Sequence, residues 1–228
     1  MKSAVIVFPG SNCERECALQ LEKSSGQKPL MIWHKETELP KLDVIVLPGG
    51  FSYGDYLRTG AMAAHSPVMQ AVKKAAANGT RVIGICNGFQ ILVEAGMLPG
   101  VLRRNKSLKY VCREIWLRVE RTDTPFTKNY QSGQRVCFPV GHGEGNYYAP
   151  ADTIKMLEDK GLIAFRYVND NGDINDAANP NGSMHNIAGI LNEQKNVLGL
   201  MPHPDRAADV LLGRNDGRAL FDSLVTSN

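Results

Sequence analysis

The sequence predicts an α/β protein with a mostly parallel central sheet, covered by helices on both faces, and a smaller antiparallel portion in its second half. Two observations support this fold class. In the first half, short apolar and β-branched runs alternate with helical patterns. In the second half, strand-like runs follow one another. Because no linker, repeat or low-complexity tract divides the 228 residues, we expect a single domain over residues 1–228.

The first half contains four predicted strands and three predicted helices. Each strand run is continuously apolar, as strands buried on both faces of a sheet are. Asn12 stands directly before the first helix and is its predicted N-terminal cap. In chain order the predicted elements are a strand at 4–8, a helix at 13–23, strands at 30–33 and 44–47, a helix at 68–77, a strand at 82–85 and a helix at 87–95.

Glycine-containing turns follow three of these strands, at 9–12, 48–50 and 86–88. Parallel α/β sheets bind their ligands at the carboxyl ends of the strands. We therefore expect the functional site at that edge of the sheet.

The sequence pattern of the second half predicts antiparallel strands. The run 111–120 partly alternates apolar and charged residues, as a half-exposed strand does. Further strands are predicted at 136–140, 163–168, 187–191 and 197–201, with a closing helix at 214–224. The segment 169–183 is rich in Asn, Asp and Gly, which is compatible with a calcium loop or a run of turns. It lacks the Gly-x5-Glu ending of an EF-hand, so turns are favoured.

Composition indicates which binding partners and which cellular compartment to expect. A formal net charge of +3 does not predict a nucleic-acid or membrane partner. No apolar stretch reaches the roughly 20 residues that cross a bilayer, and the run at 4–8 is too short for a secretion signal. The five cysteines form no CxxC pair, so we expect reduced thiols in the cytoplasm and no metal site.

The strongest chemical signal is Gly84-Ile85-Cys86-Asn87-Gly88, between a predicted strand and a predicted helix. It matches the nucleophile elbow G-x-S-x-G with sulfur in place of oxygen. The helix N-terminus favours a thiolate, and the amide of Asn87 is placed to donate to an oxyanion. The alternative is an inert buried thiol, which is the expected state of the other four cysteines.

A nucleophilic thiol needs a base and a group that orients the base. His203 and Asp205 lie in Met201-Pro-His-Pro-Asp205, after a predicted strand. Extended geometry around the prolines predicts that both side chains project to the same side. Asp205 is then expected to orient the His203 ring and stabilise its protonated form. The alternative is a surface His-Asp pair that caps a turn.

Other candidate residues surround this predicted centre. Gly50 is a candidate oxyanion donor or a tight-turn glycine. Gln90 lies one helical turn after Cys86, either facing substrate or solvated. The Gly-rich run 141–145 is not a phosphate loop, so any ATP would be bound elsewhere. A basic cluster is either a solvated face or a docking surface; it comprises Arg103, Arg104, Lys106 and Lys109.

With these residues in place, the chain resembles class I (triad-type) glutamine amidotransferases, and among them the glutaminase subunits of phosphoribosylformylglycinamidine synthases from purine biosynthesis. The resemblance covers nearly the whole length, and the tract Pro48–Arg58 is its most specific part. The other matching motifs are Pro9–Cys13, Cys86–Gln90, Arg103–Lys106, His142–Asn146, Asn179–Ser183 and Met201–Pro204.

The resemblance implies that Cys86 is the nucleophile, that His203 is the general base and that Gly50 and Asn87 supply oxyanion-hole amides. It further implies that Gln90, His142 and Gly143 hold L-glutamine. Where the family has glutamate two residues after the histidine, this chain has Asp205.

The implied reaction forms a glutamyl thioester and releases ammonia through a channel to a large, separate synthetase subunit, often through a small bridging subunit. That partner, which binds MgATP, converts formylglycinamide ribonucleotide to the amidine. No cofactor is expected in this chain, and glutamine hydrolysis by the chain alone is expected to be weak. The competing predictions are a stand-alone thiol hydrolase of γ-glutamyl or peptide substrates and a non-catalytic binding module.

Overall fold

The computed structural model describes residues 1–226, with Leu212 described by its backbone alone. The last two residues of the predicted domain, 227 and 228, lie outside the described residues. Within that range the strands are β1 (Ser3–Val7), β2 (Leu30–Trp33), β3 (Val44–Leu47), β4 (Arg81–Ile85), β5 (Val101–Arg103), β6 (Val111–Val119), β7 (Arg135–His142), β8 (Asn146–Tyr148), β9 (Ile163–Val168), β10 (Ile187–Leu191) and β11 (Val197–Leu200). The α-helices are α1 (Glu14–Ser25), α2 (Ala61–Ala64), α3 (Pro67–Ala77), α4 (Asn87–Glu94), α5 (Ala151–Asp159) and α6 (Arg218–Val225).

One nine-stranded sheet organises the molecule, in the order β2-β1-β3-β4-β11-β10-β9-β6-β7. The strands from β2 to β11 pair in parallel, and β10, β9, β6 and β7 continue the same sheet with antiparallel pairing. β5 and β8 form a separate antiparallel pair. This arrangement confirms the predicted fold class.

The parallel half is buried as its sequence predicts. All residues of β3 and β11 are buried, and α4 packs against β4 and β11 while α1 packs against β1 and α6. Strands without a solvent face need an apolar residue at every position, because side chains alternate between two covered faces. The apolar runs of the first half have this pattern.

The antiparallel half shows the expected alternation in β6. Ile115, Leu117 and Val119 are buried, whereas Glu114 and Arg118 on the alternate face are exposed and half-buried, respectively. One face of this strand therefore packs on the core and the other is in contact with solvent.

Two predicted helix ends differ in the structure. Cys13, not Asn12, is the N-cap of α1. The side-chain oxygen of Asn12 accepts instead from the sulfur of Cys13 at 3.0 Å, so it is not free to cap the helix. α6 begins at Arg218 rather than 214, because Arg214 forms a bridge with Asp209 and leaves the helical conformation.

The sequence patterns missed the short strands β5 and β8 and the helices α2 and α5. The segment 169–183 forms turns and a short 3-10 helix at Asp176–Ala178, as the favoured prediction had it. Within the described residues, no helix has both the length and the apolar character needed to span a membrane.

Candidate active site

Cys86 occupies a sharp turn between β4 and α4. Its backbone has φ 51° and ψ −106°, outside the ordinary regions for a residue with a side chain. The flanking glycines make this turn possible, because a Cβ on Gly84 would overlap the carbonyl of Gly88, and a Cβ on Gly88 would overlap the carbonyl of Leu47. The turn therefore has the geometry that a nucleophile elbow requires.

The thiol of Cys86 faces a cavity of about 160 Å³. Its sulfur lies 3.7 Å from the carbonyl oxygen of Gly141, at the end of β7. The cavity lies at the carboxyl ends of the strands, as expected for this sheet. Its lining residues are Gly50, Phe51, Asp55, Thr59, Cys86, Gln90, Tyr110, Gly141, His142, Gly143 and Glu144.

The sheet register brings His203 to the same edge as Cys86. Ile85 pairs with Leu200 in the parallel strands β4 and β11, and the N–H of Cys86 donates to the carbonyl of Leu200 at 2.8 Å. His203 follows three residues after Leu200 and is anchored by its N–H, which donates to Pro139 at 2.9 Å. Both predicted catalytic side chains are buried.

Asp205 lies beside the His203 ring, but not for the predicted reason. His203 is extended, as predicted, but Pro204–Arg206 forms a 3-10 turn, so the extended geometry expected as far as Asp205 is wrong. Proline fixes φ near −65°, which also suits the first position of a helical turn. The Nδ1 of His203 still lies 3.3 Å from Oδ1 of Asp205, without hydrogen-bond alignment. The contact is therefore electrostatic.

The pKa of His203 is raised well above its ordinary value. Burial alone lowers this pKa, but the negative charges of Asp205 and of the Cys86 thiolate raise it by more. A protonated imidazole is thus favoured in the presence of the thiolate, and that form can donate a proton to a departing amine.

A second thiol approaches the same histidine. The sulfur of Cys13 and one ligand atom each from His203 and Asp205 all lie within 4.8 Å of one another. The sequence predicts an inert thiol at Cys13, with no link to the site. The available signal was its position, just after the glycine-containing turn that ends β1.

The surroundings of Cys13 differ from those of Cys86. Cys13 does not line the cavity, and its sulfur accepts from Nη2 of Arg206 at 2.9 Å. Cys13, His203 and Asp205 carry donor atoms that suit a metal ion. The guanidinium beside the thiol opposes the binding of a further cation at this trio.

Some backbone amides near Cys86 have no acceptor among the described residues. They include the N–H groups of Gly50, which lines the cavity, and of Asn87, the first residue of α4. Free amides at the start of a helix attract negative charge. They are available to the oxyanion that forms when the Cys86 sulfur attacks a carbonyl carbon.

Two of the predicted substrate residues, Asn87 and Gln90, belong to one polar network. The side chain of Asn87 accepts from the Ser52 N–H at 3.1 Å and donates to Gln90 at 2.9 Å. Gln90 donates in turn to the carbonyl of Glu144 at 2.7 Å. Asn87 therefore holds the wall of the cavity and does not itself line it.

The loop after β7 is fixed by buried asparagines. His142 Nε2 lies 2.9 Å from Nδ2 of Asn181, and Asn105 donates to the carbonyl of His142 at 2.9 Å. Burial and the positive charge of His203 lower the pKa of His142 to about 4, so its ring is neutral near neutral pH. Gly143 follows His142 in the cavity wall, and its carbonyl accepts from the Asn105 N–H at 2.9 Å.

Four polar lining residues were not singled out from the sequence: Asp55, Thr59, Tyr110 and Glu144. Asp55 and Glu144 are polar residues in Gly-containing segments that follow a strand, which is the only sequence signal they offer. That signal is too common to identify a site without the fold.

Comparison with known proteins agrees with this geometry. Residues 1–215 match the family described as CobB/CobQ-like glutamine amidotransferase domain. Two relatives named phosphoribosylformylglycinamidine synthase subunit PurQ are each 55% identical to the chain. The protein from Rhodopseudomonas palustris (strain BisB18) matches over 99% of this chain and 97% of its own length. The protein from Gloeobacter violaceus matches over 100% and 98% respectively.

Solved structures give the same result. A chain of the PurLQS structure from Thermotoga maritima is 42% identical with a TM-score of 0.86, over 98% of this chain and 97% of that chain. The glutaminase domain of Trypanosoma brucei CTPS, solved with bound acivicin, is 14% identical with a TM-score of 0.62 and shares the fold. The chain belongs to the family of CobB/CobQ-like glutamine amidotransferase domains.

Proposed function

We propose that this chain is the glutaminase subunit of a phosphoribosylformylglycinamidine synthase, acting in purine biosynthesis. It hydrolyses L-glutamine and delivers ammonia to an ATP-dependent synthetase subunit. The observation that carries the proposal is Cys86, held in a strained turn with its thiol facing a cavity beside two free amides. Full-length identity of 55% to proteins named as subunits of that synthase supports the choice of reaction.

The proposed first step is attack of the Cys86 thiolate on the side-chain amide carbon of glutamine. The S–C bond forms, and negative charge develops on the amide oxygen. The N–H groups of Gly50 and Asn87 stabilise this oxyanion. Loss of one such donor typically costs about 3–4 kcal/mol of transition-state stabilisation.

His203 handles the proton in both halves of the reaction. Its imidazolium donates a proton to the departing nitrogen, so the C–N bond breaks and ammonia leaves a glutamyl thioester on Cys86. The neutral ring then takes a proton from water, which attacks the thioester and releases glutamate and the thiolate. Asp205 holds the ring and stabilises its charged form through the 3.3 Å contact.

The proposed substrate is free glutamine. The cavity of about 160 Å³ is smaller than the roughly 300–1,000 Å³ of many ligand pockets. A single amino acid suits it better than a peptide, which argues against a stand-alone peptide hydrolase. Gln90, His142 and Gly143 form part of the wall that contacts the amino acid.

The proposed partners are a large synthetase subunit, which binds MgATP, and a small bridging subunit. The similarity to a chain of the PurLQS structure supports assembly with further subunits. Residues 1–228 act as one glutaminase domain with no cofactor of its own. The proposed location is the cytoplasm, where the five free cysteines remain reduced.

The experiment is a measurement of glutamate release from glutamine by the chain alone and by the chain with its synthetase and bridging subunits. The mixture includes formylglycinamide ribonucleotide and MgATP. We expect a large rise in the complete mixture and weak hydrolysis by the chain alone. If the partner is active on free ammonia but no rise occurs, the proposed reaction is wrong.

A further inference from the structure

The cavity beside Cys86 is lined by negatively charged groups. Asp55 and Glu144 line it, and no Lys or Arg does so among the residues that the structure describes. His142 adds no positive charge at neutral pH, since burial and the charge of His203 lower its pKa to about 4. Two carboxylates without a neighbouring cation favour a positively charged ligand group.

One carboxylate oxygen of Asp55 lacks a hydrogen-bond donor among the described residues. This oxygen is Oδ1, which is buried. A buried polar atom without a partner costs free energy, and such an atom at a functional site calls for an explanation. A ligand that donates a hydrogen bond to this oxygen would remove the cost.

Glu144 is held in place in the wall of the cavity that Cys86 also lines. Its Oε2 accepts from the hydroxyl of Thr59 at 2.9 Å, and its backbone carbonyl accepts from Gln90 at 2.7 Å. Gln90 lies on α4, one turn after Cys86, so the position of Glu144 is fixed relative to the thiol.

The two carboxylates line the same small cavity of about 160 Å³. Burial, and to a lesser extent the negative charge of Glu144, raise the pKa of Asp55 to about 6. The repulsion between them would be relieved by a cation that contacts both.

We propose that Asp55 and Glu144 bind the α-ammonium group of the substrate glutamine and so determine the specificity for the free amino acid. The inference rests on the glutaminase function proposed above. The side-chain amide of glutamine reaches Cys86, while its ammonium donates charge-assisted hydrogen bonds to the carboxylates. A substrate without the ammonium leaves both carboxylates uncompensated, which is the basis of strong rejection.

The test compares two substrates that differ in one group. L-glutamine and 4-carbamoylbutanoate share the same side-chain amide and a carboxylate, but 4-carbamoylbutanoate lacks the amino group. We would measure kcat and KM for both with the complete complex of wild type, D55N and E144Q. The matched control is D152N, which neutralises an exposed carboxylate on α5, away from the cavity lining.

We expect wild type and D152N to prefer glutamine by at least about 100-fold in kcat/KM, in line with the rejection of analogues that lack a hydrogen-bonding group. D55N should reduce this preference at least roughly tenfold by raising the KM for glutamine, with kcat/KM for 4-carbamoylbutanoate unchanged. E144Q should also reduce the preference for glutamine. D55E, which keeps the charge, should retain most of this preference.

Three results would overturn the inference: no preference in wild type, an unchanged preference in D55N, or equal losses on both substrates in D55N. Equal losses would indicate a purely structural role. If D55N does not fold, the same criteria apply to E144Q. Failure of the wild-type complex to hydrolyse glutamine at all would overturn the proposed function as well, which separates the two failures.

Discussion

The Nη2 of Arg206 donates to the sulfur of Cys13 at 2.9 Å, although the two residues are 193 positions apart in the sequence. This contact places a second buried thiol within 4.8 Å of ligand atoms of His203 and Asp205. The site thus contains two cysteines near one histidine. Only Cys86 combines the strained turn with a place in the cavity wall.

The same substitution at both cysteines should separate their roles. C86S is expected to lower glutamate release by the complex at least about 1,000-fold, as loss of a nucleophile does. C13S should stay within about tenfold of wild type, because a hydroxyl still accepts from Arg206. Rates in the complete complex provide the measurement, with ammonia-dependent synthesis as the control for assembly. Equal losses in both variants would contradict the assignment.

Asp205 should act through the charge state of His203. D205N removes the negative charge that raises the pKa of His203, so this pKa should fall. The limb of the pH–kcat/KM profile that reports loss of the imidazolium should therefore move to lower pH. The rate should fall about 10–100-fold, less than the roughly 100–10,000-fold that a general acid–base itself typically contributes, because Asp205 acts only through His203.

The control for this prediction is D205E. It keeps the charge, and its extra methylene can close the unaligned 3.3 Å contact, so we expect activity within about tenfold of wild type. A pH profile in D205N that matches the wild-type profile would show that Asp205 does not set the protonation of His203.

Gly49 should be required for the position of His203. A Cβ at Gly49 would lie 2.6 Å from Cε1 of His203 and 3.1 Å from the sulfur of Cys13. G49A is therefore expected to displace the ring and to lower the glutaminase rate at least about tenfold. Overpacking of this kind typically costs about 1–3 kcal/mol of stability.

The comparison variant for G49A is G133A. Gly133 has φ 74° with open space around it, so alanine there strains the backbone without a clash. It should lose about 1 kcal/mol of stability and keep its activity. Circular dichroism and Tm establish folding in both variants. Full activity in a folded G49A would show that the ring tolerates the added methyl group.

Glutamine binding should weaken in mild acid. Burial and Glu144 raise the pKa of Asp55 to about 6, and below this pH Asp55 is neutral and loses its attraction for an ammonium. The KM for glutamine should therefore rise as pH falls through about 6 in wild type and stay flatter in D55N. Other titratable groups in the wall are Cys86, His142, Tyr110 and Glu144, and the comparison with D55N separates their effects.

Local patterns identified most of the fold and the central residues of the candidate site. The continuous apolar runs of β1, β3 and β4 and the alternation in β6 follow directly from burial on two faces or one. The elbow could be predicted because the sharp turn leaves no room for a side chain at Gly84 or Gly88, and this requirement appears in the sequence as two glycines at fixed spacing around Cys86.

Contacts between residues far apart in the sequence could not be predicted from local patterns. The approach of Arg206 to Cys13, and of Asp55 to Glu144, depends on which turns the sheet brings together. The turn at Pro204 shows a different limit. Proline restricts φ but permits both an extended segment and a helical turn, so the pattern alone could not choose between them.

In the proposed reaction, the thiol of Cys86 attacks the side chain of glutamine. The most direct test of this step is reaction of the complete complex with 6-diazo-5-oxo-L-norleucine, a glutamine analogue that alkylates an active-site thiolate with loss of nitrogen. Peptide mapping by mass spectrometry then locates the label. We predict one adduct, on Cys86, which excess glutamine prevents. Glutamine-protected labelling on Cys13, or on neither cysteine, would show that Cys86 is not the nucleophile.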